Sequence, residues 1–328
     1  MSALAATVLR ERRLRLRVSW GPVTTALILV GLIIADIKLQ PALLDSYQIG
    51  LEIQTALPLV LVSAAQTLVV IVRGIDLSVG GMMVVANVLT ATWLGPHDSR
   101  LWLLAPVLLI GVSMGGFNGV LVTYLRFEPF VATLATWTIF NGIALWLLAT
   151  DGGAPPPKLA EVVISNVGPI PDSYIILAAV LLVWWWLKGT RFGRQMYAVG
   201  SDEECAHLNG VRIRGVKIGV YALAGLAAAI GGIYLCASTS SGTPTAGNGY
   251  ILQSVAAVVI GGTSLLGGRG GVGLTTMAVF VLVLIADIVS ALNLSVWVSV
   301  AAQFGLLLAV VAVRSFIETR RAREDEAG

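Results

Sequence analysis

The chain has 328 residues, of which 57% are hydrophobic and 12% are charged, and its mean hydropathy is +0.87. Repeated uncharged runs of about 18 residues or more cannot all be the buried core of a soluble domain of this length. The composition therefore excludes an ordinary soluble protein. It predicts an all-α polytopic membrane protein, because a backbone that spans a membrane must satisfy its own hydrogen bonds.

The apolar runs, taken in chain order, predict about ten transmembrane helices. They lie at roughly 23–39, 55–72, 80–95, 101–125, 129–150, 173–187, 218–237, 251–266, 274–291 and 296–313. The first run continues to Leu39 without the cleavage pattern of a signal peptide, so we expect a retained helix. An even number of crossings places both termini on one side of the membrane.

The basic residues indicate which side that is. With these spans, every Lys and Arg residue lies on the side of the termini except Lys38, Arg100 and Lys158. The positive-inside rule then predicts that both termini are cytoplasmic. We therefore expect a basic cytoplasmic segment at 1–22, a transmembrane domain at 23–315 and a charged cytoplasmic tail at 316–328.

An acid and a serine stand between the second and third apolar runs, in Arg73-Gly-Ile-Asp-Leu-Ser-Val-Gly-Gly81. A carboxylate at the end of a span is costly unless it faces a cavity, a partner or water. The pattern favours Asp76 as a cap of the third span, accepting from the N–H groups of Ser78, Val79 or Gly80, over a role in shaping a pore. Asp287 lies within a later span, where it could face a partner subunit, and its role stays open.

The long inner loop at 188–217 predicts a short helix of its own. Ser201 or Asp202 can cap a helix start, and Glu203 and Glu204 complement its positive end. Gly210 suits the turn at the other end, so we expect a helix near 202–209. Its spacing alone fits a solvated loop helix and a docking element for a partner equally well.

The sequence lacks the residue patterns of an enzyme. Its two histidines, His97 and His207, form no paired metal site and no nucleophile–base arrangement. The stretch 262–268 begins like a phosphate-binding loop but lacks its lysine, and the G-x-G-x-x-G spacing at 268–273 falls between two spans. We therefore predict no catalytic residue, no metal and no cofactor or nucleotide site on this chain.

Four stretches resemble the signature sequences of the ribose/xylose/galactose-type ABC importer permeases. They are Arg-Gly-Ile-Asp-Leu-Ser-Val-Gly at 73–80, Glu-Pro-Phe-Val-Ala-Thr-Leu at 128–134, Gly-Arg-Gln-Met-Tyr-Ala-Val-Gly at 193–200 and Ala-Val-Val-Ile-Gly-Gly-Thr-Ser-Leu-Leu-Gly-Gly at 257–268. The similarity runs in order from about residue 50 to 313. The family usually has a glycine where this chain has Arg73.

The resemblance implies a multi-pass permease of the bacterial inner membrane, in contact with membrane lipid and paired with a second copy or a paralogue. Two cytoplasmic ATPase subunits, which bind ATP and Mg²⁺, and a periplasmic sugar-binding protein would complete the importer, with no role for nucleic acid. The segment 201–211 would be the coupling helix. Its coupling residues would be Ser201, Asp202, Glu203, Glu204, Ala206, His207, Asn209 and Gly210.

A translocation path for a monosaccharide or related polyol needs groups that bind hydroxyls transiently. Candidates are Gln66, Asp76, Ser78, Asn87, Asn118, Thr133, Asn141, Asn248, Gln253, Thr263 and Ser264, with Phe130 and Trp137 as stacking surfaces. Helix–helix hydrogen bonds, turns and packing explain these residues at least as well. Gly111, Gly115 and Gly119, four residues apart, predict close helix packing.

Two other classes of membrane protein stay open on the sequence. An ion-coupled secondary transporter needs ionisable residues within the membrane, and Asp36, Asp76 and Asp287 are the candidates. A passive channel or structural subunit would not need the capped inner helix.

Overall fold

The computed structural model describes residues 20–41, 45–167 and 170–326, with side chains from 23 to 312 within those ranges. The described chain is almost entirely helical. Its helices are α1 (Trp20–Leu39), α2 (Ser46–Ile71), α3 (Val79–Leu89), α4 (Leu104–Thr123), α5 (Pro129–Leu147), α6 (Pro157–Ile164), α7 (Asp172–Gly189), α8 (Arg191–Ser201), α9 (Glu203–Leu208), α10 (Ile213–Thr239), α11 (Gly247–Ile260), α12 (Val272–Ala291) and α13 (Val296–Glu326). A π-helical turn (Thr90–Leu94) extends α3, and a 3-10 segment (Asp98–Leu103) leads into α4.

Six helical segments in the described part are long and apolar enough to cross a membrane: α2, 98–123, α5, α7, α10 and α12. Three shorter apolar helices, 79–94, 247–260 and 296–312, accompany them. Each of the ten predicted apolar runs coincides with a helix. The all-α polytopic class is thereby confirmed, whereas the count of ten crossings and the side of the termini stay predictions. Residues 1–19 of the predicted basic segment and the side chains of the predicted tail lie outside the described residues.

Three span boundaries differ clearly from the prediction: the start of α2, the end of α11 and the end of α13, which continues to Glu326 rather than ending near 313. Helix α2 begins at Ser46 rather than near 55, because the Asp45 side chain accepts from the Tyr47 N–H and caps the helix start. Because the first turns of α2 are polar, the hydropathy pattern does not show where the helix begins. Helix α11 ends at Ile260 rather than near 266, since Gly262 has a φ of 85° and turns the chain away from the helix.

Two short helices and a small hairpin were not predicted from the sequence. Helix α8 lies in the predicted loop 188–217, where Thr190 caps it by accepting from the Gly193 N–H at 3.1 Å. Helix α6 precedes an antiparallel pair of two-residue strands, β1 (Asn166–Val167) and β2 (Ile170–Pro171). Both helices are too short for a span, so hydropathy gave no sign of them.

Helix α10 is the centre of the bundle and packs against α2, α3 and α4. The contact with α4 is backbone to backbone: a Cβ added at Gly111 would lie 2.5 Å from the Ala229 Cβ atom and 2.8 Å from the Gly225 carbonyl oxygen. A Cβ at Gly115 or Gly119 would meet the same helix just as closely. The prediction of close helix packing at these glycines is confirmed.

Candidate functional site

The predicted inner helix is present as α9. The Asp202 carboxylate accepts from the Cys205 N–H at 2.9 Å and caps its start. Gly210 follows its last turn with a φ of 78°, the left-handed conformation that favours glycine. The hydrogen bond from the Cys205 backbone lowers the pKa of Asp202, because it stabilises the charged carboxylate.

One side of α9 holds it against the bundle. Ala206 is buried in the main hydrophobic cluster, and the Glu203 carboxylate pairs with the Lys217 ammonium of α10 at 2.6 Å. The other side is free: Glu204 and His207 are exposed, and the Leu208 side chain is 79% exposed. Helix α9 is therefore held on one side and accessible on the other.

Arg73, in the loop after α2, donates hydrogen bonds to the chain just before α9. Its Nε atom donates to the carbonyl oxygen of Gly200 at 2.8 Å, and its Nη2 atom donates to the carbonyl oxygen of Ser201. These carbonyls belong to the last residues of α8, where a cation also complements the negative helix end. Arg73 itself has a φ of 65°, which is unusual for a residue with a side chain.

The loop after α11 completes this arrangement. The Gly268 N–H donates to the Ile71 carbonyl oxygen at 2.9 Å, and the Tyr197 hydroxyl donates to the Gly270 carbonyl oxygen at 2.7 Å. A Cβ at Gly200 would collide with the Ile71 carbonyl oxygen. We call this contact of segments 71–76, 197–202 and 262–271 the three-loop junction.

The four stretches that resemble permease signature sequences meet at the three-loop junction. Three of the four contribute to it directly, through Arg73, Gly200 and Gly268. The fourth joins through Thr133, whose hydroxyl accepts from the Leu77 N–H at 3.0 Å and lies 3.2 Å from the Ile75 carbonyl oxygen. Stretches far apart in sequence thus surround one loop.

Asp76 is the buried acid of that loop. Its Oδ1 atom accepts from the Ser78 N–H at 2.8 Å and from the Ser78 hydroxyl at 2.6 Å, and the Asn118 amide donates to the same hydroxyl at 2.6 Å. The predicted bond to the Ser78 N–H is confirmed. The Asp76 Oδ2, Asn118 Oδ1 and Tyr221 hydroxyl oxygens find no hydrogen-bond partner among the described residues.

Several other predicted path residues connect elements inside the bundle. The Asn87 amide donates to the Gly232 carbonyl oxygen at 3.3 Å and accepts from the Thr243 N–H at 2.7 Å. The Gln253 amide donates to Gln303 of α13 at 3.1 Å. These contacts are the helix–helix bonds that the sequence left open as the alternative.

The remaining predicted path residues do not form one group. Gln66 is fully buried in α2, and neither amide atom has a partner in the described part. Thr263 and Ser264 lie in the three-loop junction, where each accepts from a backbone N–H of the loop. Phe130 and Asn248 are exposed, while Trp137 and Asn141 are half-buried.

Asp287 faces α1 rather than open lipid. The Gln40 amide donates to the Asp287 carboxyl at 2.9 Å and approaches the Asp36 carboxyl at 3.5 Å. Asp36 is 1% exposed, and its Oδ2 atom has no partner among the described residues. Gln40 was not predicted, because its bonding partner is 247 residues away in sequence.

Metal chemistry finds no support in this geometry. The described residues contain no group of three or more His, Cys, Asp or Glu side chains that could hold a metal ion. Cys205 is exposed and Cys236 is buried, and both are free thiols. The site consists of hydrogen bonds, a capped helix and close glycine contacts.

Comparison with known proteins gives the family. The family described as branched-chain amino acid transport system / permease component matches residues 50–311. The chain belongs to this family. The matched range contains all four stretches that resemble signature sequences and all three segments of the three-loop junction.

Curated relatives cover most of the chain. The ribose import permease of Haemophilus influenzae is 31% identical over 269 residues, which are 80% of this chain and 83% of that protein. The ribose import permease of Bacillus subtilis is 36% identical over 68% of this chain and 70% of its own. The fructose import permease of Rhizobium meliloti is 33% identical over 81% and 77%. No solved structure matches the chain at a significant level.

Proposed function

We propose that this chain is the transmembrane permease subunit of an ATP-driven importer for a monosaccharide or related polyol. The observation that carries the proposal is its identity of 31–36% to ribose and fructose import permeases over most of the chain. The subunit resides in the bacterial inner membrane with about ten crossings and both termini in the cytoplasm. It pairs with a second copy or a paralogue.

Energy reaches the permease from partner subunits in this proposal. Cytoplasmic ATPases bind ATP and Mg²⁺ and contact the exposed side of α9, and a periplasmic binding protein delivers the sugar. The coupling residues are Ser201, Asp202, Glu203, Glu204, Ala206, His207, Asn209 and Gly210. The capped helix, its exposed Leu208 and its anchor at Ala206 support this role, because a docking element must be both rigid and accessible.

The three-loop junction supports a route from α9 into the bundle. A displacement of α9 pulls on Ser201 and Gly200, and Arg73 transfers it to the loop that joins α2 to α3. The bond from Gly268 to Ile71 transfers it to the loop between α11 and α12. A difference in contact energy between two positions of α9 would then shift the population between outward and inward openings.

The sugar passes along polar residues that face the interior in at least one of these openings. Asn87, Gln253 and Gln66 are the most informative candidates, because they carry hydrogen-bonding groups inside the bundle rather than in helix caps. Trp137 and Phe130 supply flat apolar surfaces for a sugar ring. These groups bind hydroxyls without a charge, which allows release.

A second candidate function is ion-coupled transport. The observation that favours it is the pair of carboxyl groups on Asp36 and Asp287, which share the amide of Gln40 near the ends of α1 and α12. A pair of this kind can exchange a proton or a monovalent cation. Such a carrier would transport its solute without an ATPase and would lose activity when an uncoupler removes the ion gradient.

Purification of the tagged chain from its native cell in a mild detergent tests the proposal. We expect a Walker-motif ATPase to copurify, and we expect Glu204→Lys to remove it, because the change reverses a charge on the exposed side of α9. The matched control is Glu161→Lys on α6, which is also exposed but lies outside the inner loop. Intact protein that never retains an ATPase, with transport that depends on an ion gradient, would favour the carrier instead.

A further inference from the structure

A cavity of about 700 Å³ opens beside the coupling helix. Its walls come from the inner end of α4, from α9 and from the first turn of α10. The charged and titratable residues that line it are Arg126, Glu203, His207, Arg212, Arg214 and Lys217. Cavities of roughly 300–1,000 Å³ are the size that small-molecule ligands occupy.

The charge of this cavity is unbalanced. Glu203 is its one carboxylate, and that group is already paired with Lys217 at 2.6 Å. Arg126, Arg212 and Arg214 have no carboxylate partner within the described part of the chain. Because a guanidinium group matches the geometry of phosphate oxygens, three unpaired arginines around one cavity favour a phosphate-bearing ligand.

An exposed apolar stripe on α4 leads directly to the cavity. Leu109, Phe117, Val120 and Tyr124 follow one another at helical spacing, and their side chains are 64%, 51%, 39% and 58% exposed. At the lower end, the Arg214 guanidinium lies 5.1 Å from the centre of the Tyr124 ring. This cation–π contact holds a positive charge where the stripe ends.

The apolar stripe on α4 ends at the basic cavity, and this arrangement indicates the kind of ligand. A free phosphate would use the arginines and leave the stripe without a role. An acidic peptide would do the same. We infer that the cavity binds the anionic headgroup of a phospholipid of the cytoplasmic leaflet, with the acyl chains lying along the α4 stripe; the choice of leaflet rests on the proposed function.

This lipid site would act on the coupling helix. Glu203 and His207 of α9 form part of its wall. A phosphate in the cavity is drawn to Lys217 and competes with Glu203 for it, because both are anions beside the same ammonium group. Binding of the headgroup therefore weakens one of the contacts that fix α9 against α10.

Native mass spectrometry of the full chain in mild detergent tests the inference. The probes are phosphatidylglycerol and phosphatidylcholine with identical acyl chains, so that only the headgroup charge differs. We expect selective retention of phosphatidylglycerol, and we expect Arg126→Gln/Arg214→Gln to weaken it about 30-fold, since each basic residue near a lipid surface contributes about 1 kcal/mol and about 1.4 kcal/mol is a factor of ten. Added inorganic phosphate should not remove the lipid.

The control is Arg191→Gln/Arg269→Gln, which removes the same charge from exposed residues outside the cavity. Equal weakening in this control would overturn the inference, because the effect would then belong to the basic surface in general. Equal retention of the two lipids would overturn it as well. Loss of a bound ATPase from the cavity variant with unchanged lipid selectivity would show a protein-docking face instead. The lipid readout itself needs no ATPase or sugar, so its failure is distinct from failure of the proposed function.

Discussion

The Nε atom of Arg73 donates a hydrogen bond of 2.8 Å to the carbonyl oxygen of Gly200, a residue 127 positions further along the chain. The same guanidinium reaches the carbonyl oxygen of Ser201, immediately before the Asp202 cap of α9. One side chain therefore joins the loop between α2 and α3 to the start of the proposed coupling helix. Arg73 makes these bonds although its φ of 65° is a backbone conformation that favours glycine.

Replacement of Arg73 by glycine tests the two hydrogen bonds that its guanidinium group donates. Arg73→Gly removes both hydrogen bonds but relieves a left-handed backbone, which is worth about 1 kcal/mol. We expect little change in the thermal unfolding temperature and a several-fold loss of sugar transport per ATP hydrolysed in the reconstituted importer. Ser240→Gly is the control: its φ of 55° gives a similar backbone relief at an exposed residue. Unchanged coupling in Arg73→Gly would contradict the assigned role.

Gly200 is the point where the three-loop junction has no room for a side chain. In Gly200→Ala the new Cβ collides with the Ile71 carbonyl oxygen, so the junction must open. We expect a loss of about 1–3 kcal/mol in the free energy of unfolding, the usual cost of overpacking. Gly273→Ala should stabilise instead, because its Cβ meets no atom within 4 Å and alanine favours the helix. Thermal unfolding of the two variants in detergent measures the difference, and equal melting of both would contradict the close contact.

The Asp76 carboxyl serves as a buried acceptor for Ser78. In Asp76→Ala the Ser78 N–H loses its partner at a fully buried position, and an unpaired buried donor costs about 1–3 kcal/mol. Asp76→Asn keeps an acceptor oxygen at the same place, so we expect it to be clearly more stable than the alanine variant. The exposed Asp151→Ala is the control. If alanine and asparagine at 76 unfold at the same temperature, the bond to Ser78 contributes nothing.

The cap of α9 titrates with pH. The pKa of Asp202 is lower in the folded chain than in the unfolded one, so its stabilising effect is present above the ordinary carboxyl range and is lost as pH falls through the folded pKa. We expect the amides of 203–208 to lose protection from hydrogen exchange in that acid range, after correction for the intrinsic rate. Asp202→Ser keeps a capping oxygen without a titrating group, and its protection should show no such step. A step of the same size in the serine variant would exclude Asp202 as its source.

The sequence predicted the elements whose signal is local. Apolar runs located the membrane-spanning helices, and Asp202 with Gly210 located α9, because a cap and a left-handed turn depend on nearby backbone. The start of α2 was not predicted, since its polar first turns resemble a loop. The role of Arg73 escaped for another reason: its acceptors are main-chain carbonyls on a distant segment, and a carbonyl oxygen has no signature in sequence. The partners of Asn87, Gln253 and Asp287 were hidden in the same way.

The seam of Gly111, Gly115 and Gly119 against α10 has a mechanical consequence. Where main chain touches main chain, the two helices have no side chains that could change rotamer to absorb a displacement. We therefore expect helices α4 and α10 to move together as one rigid pair. We expect any opening and closing of the bundle to move this pair as one body, with the bending at its cytoplasmic end in the loop 124–128 after α4 and the loop 209–212 between α9 and α10.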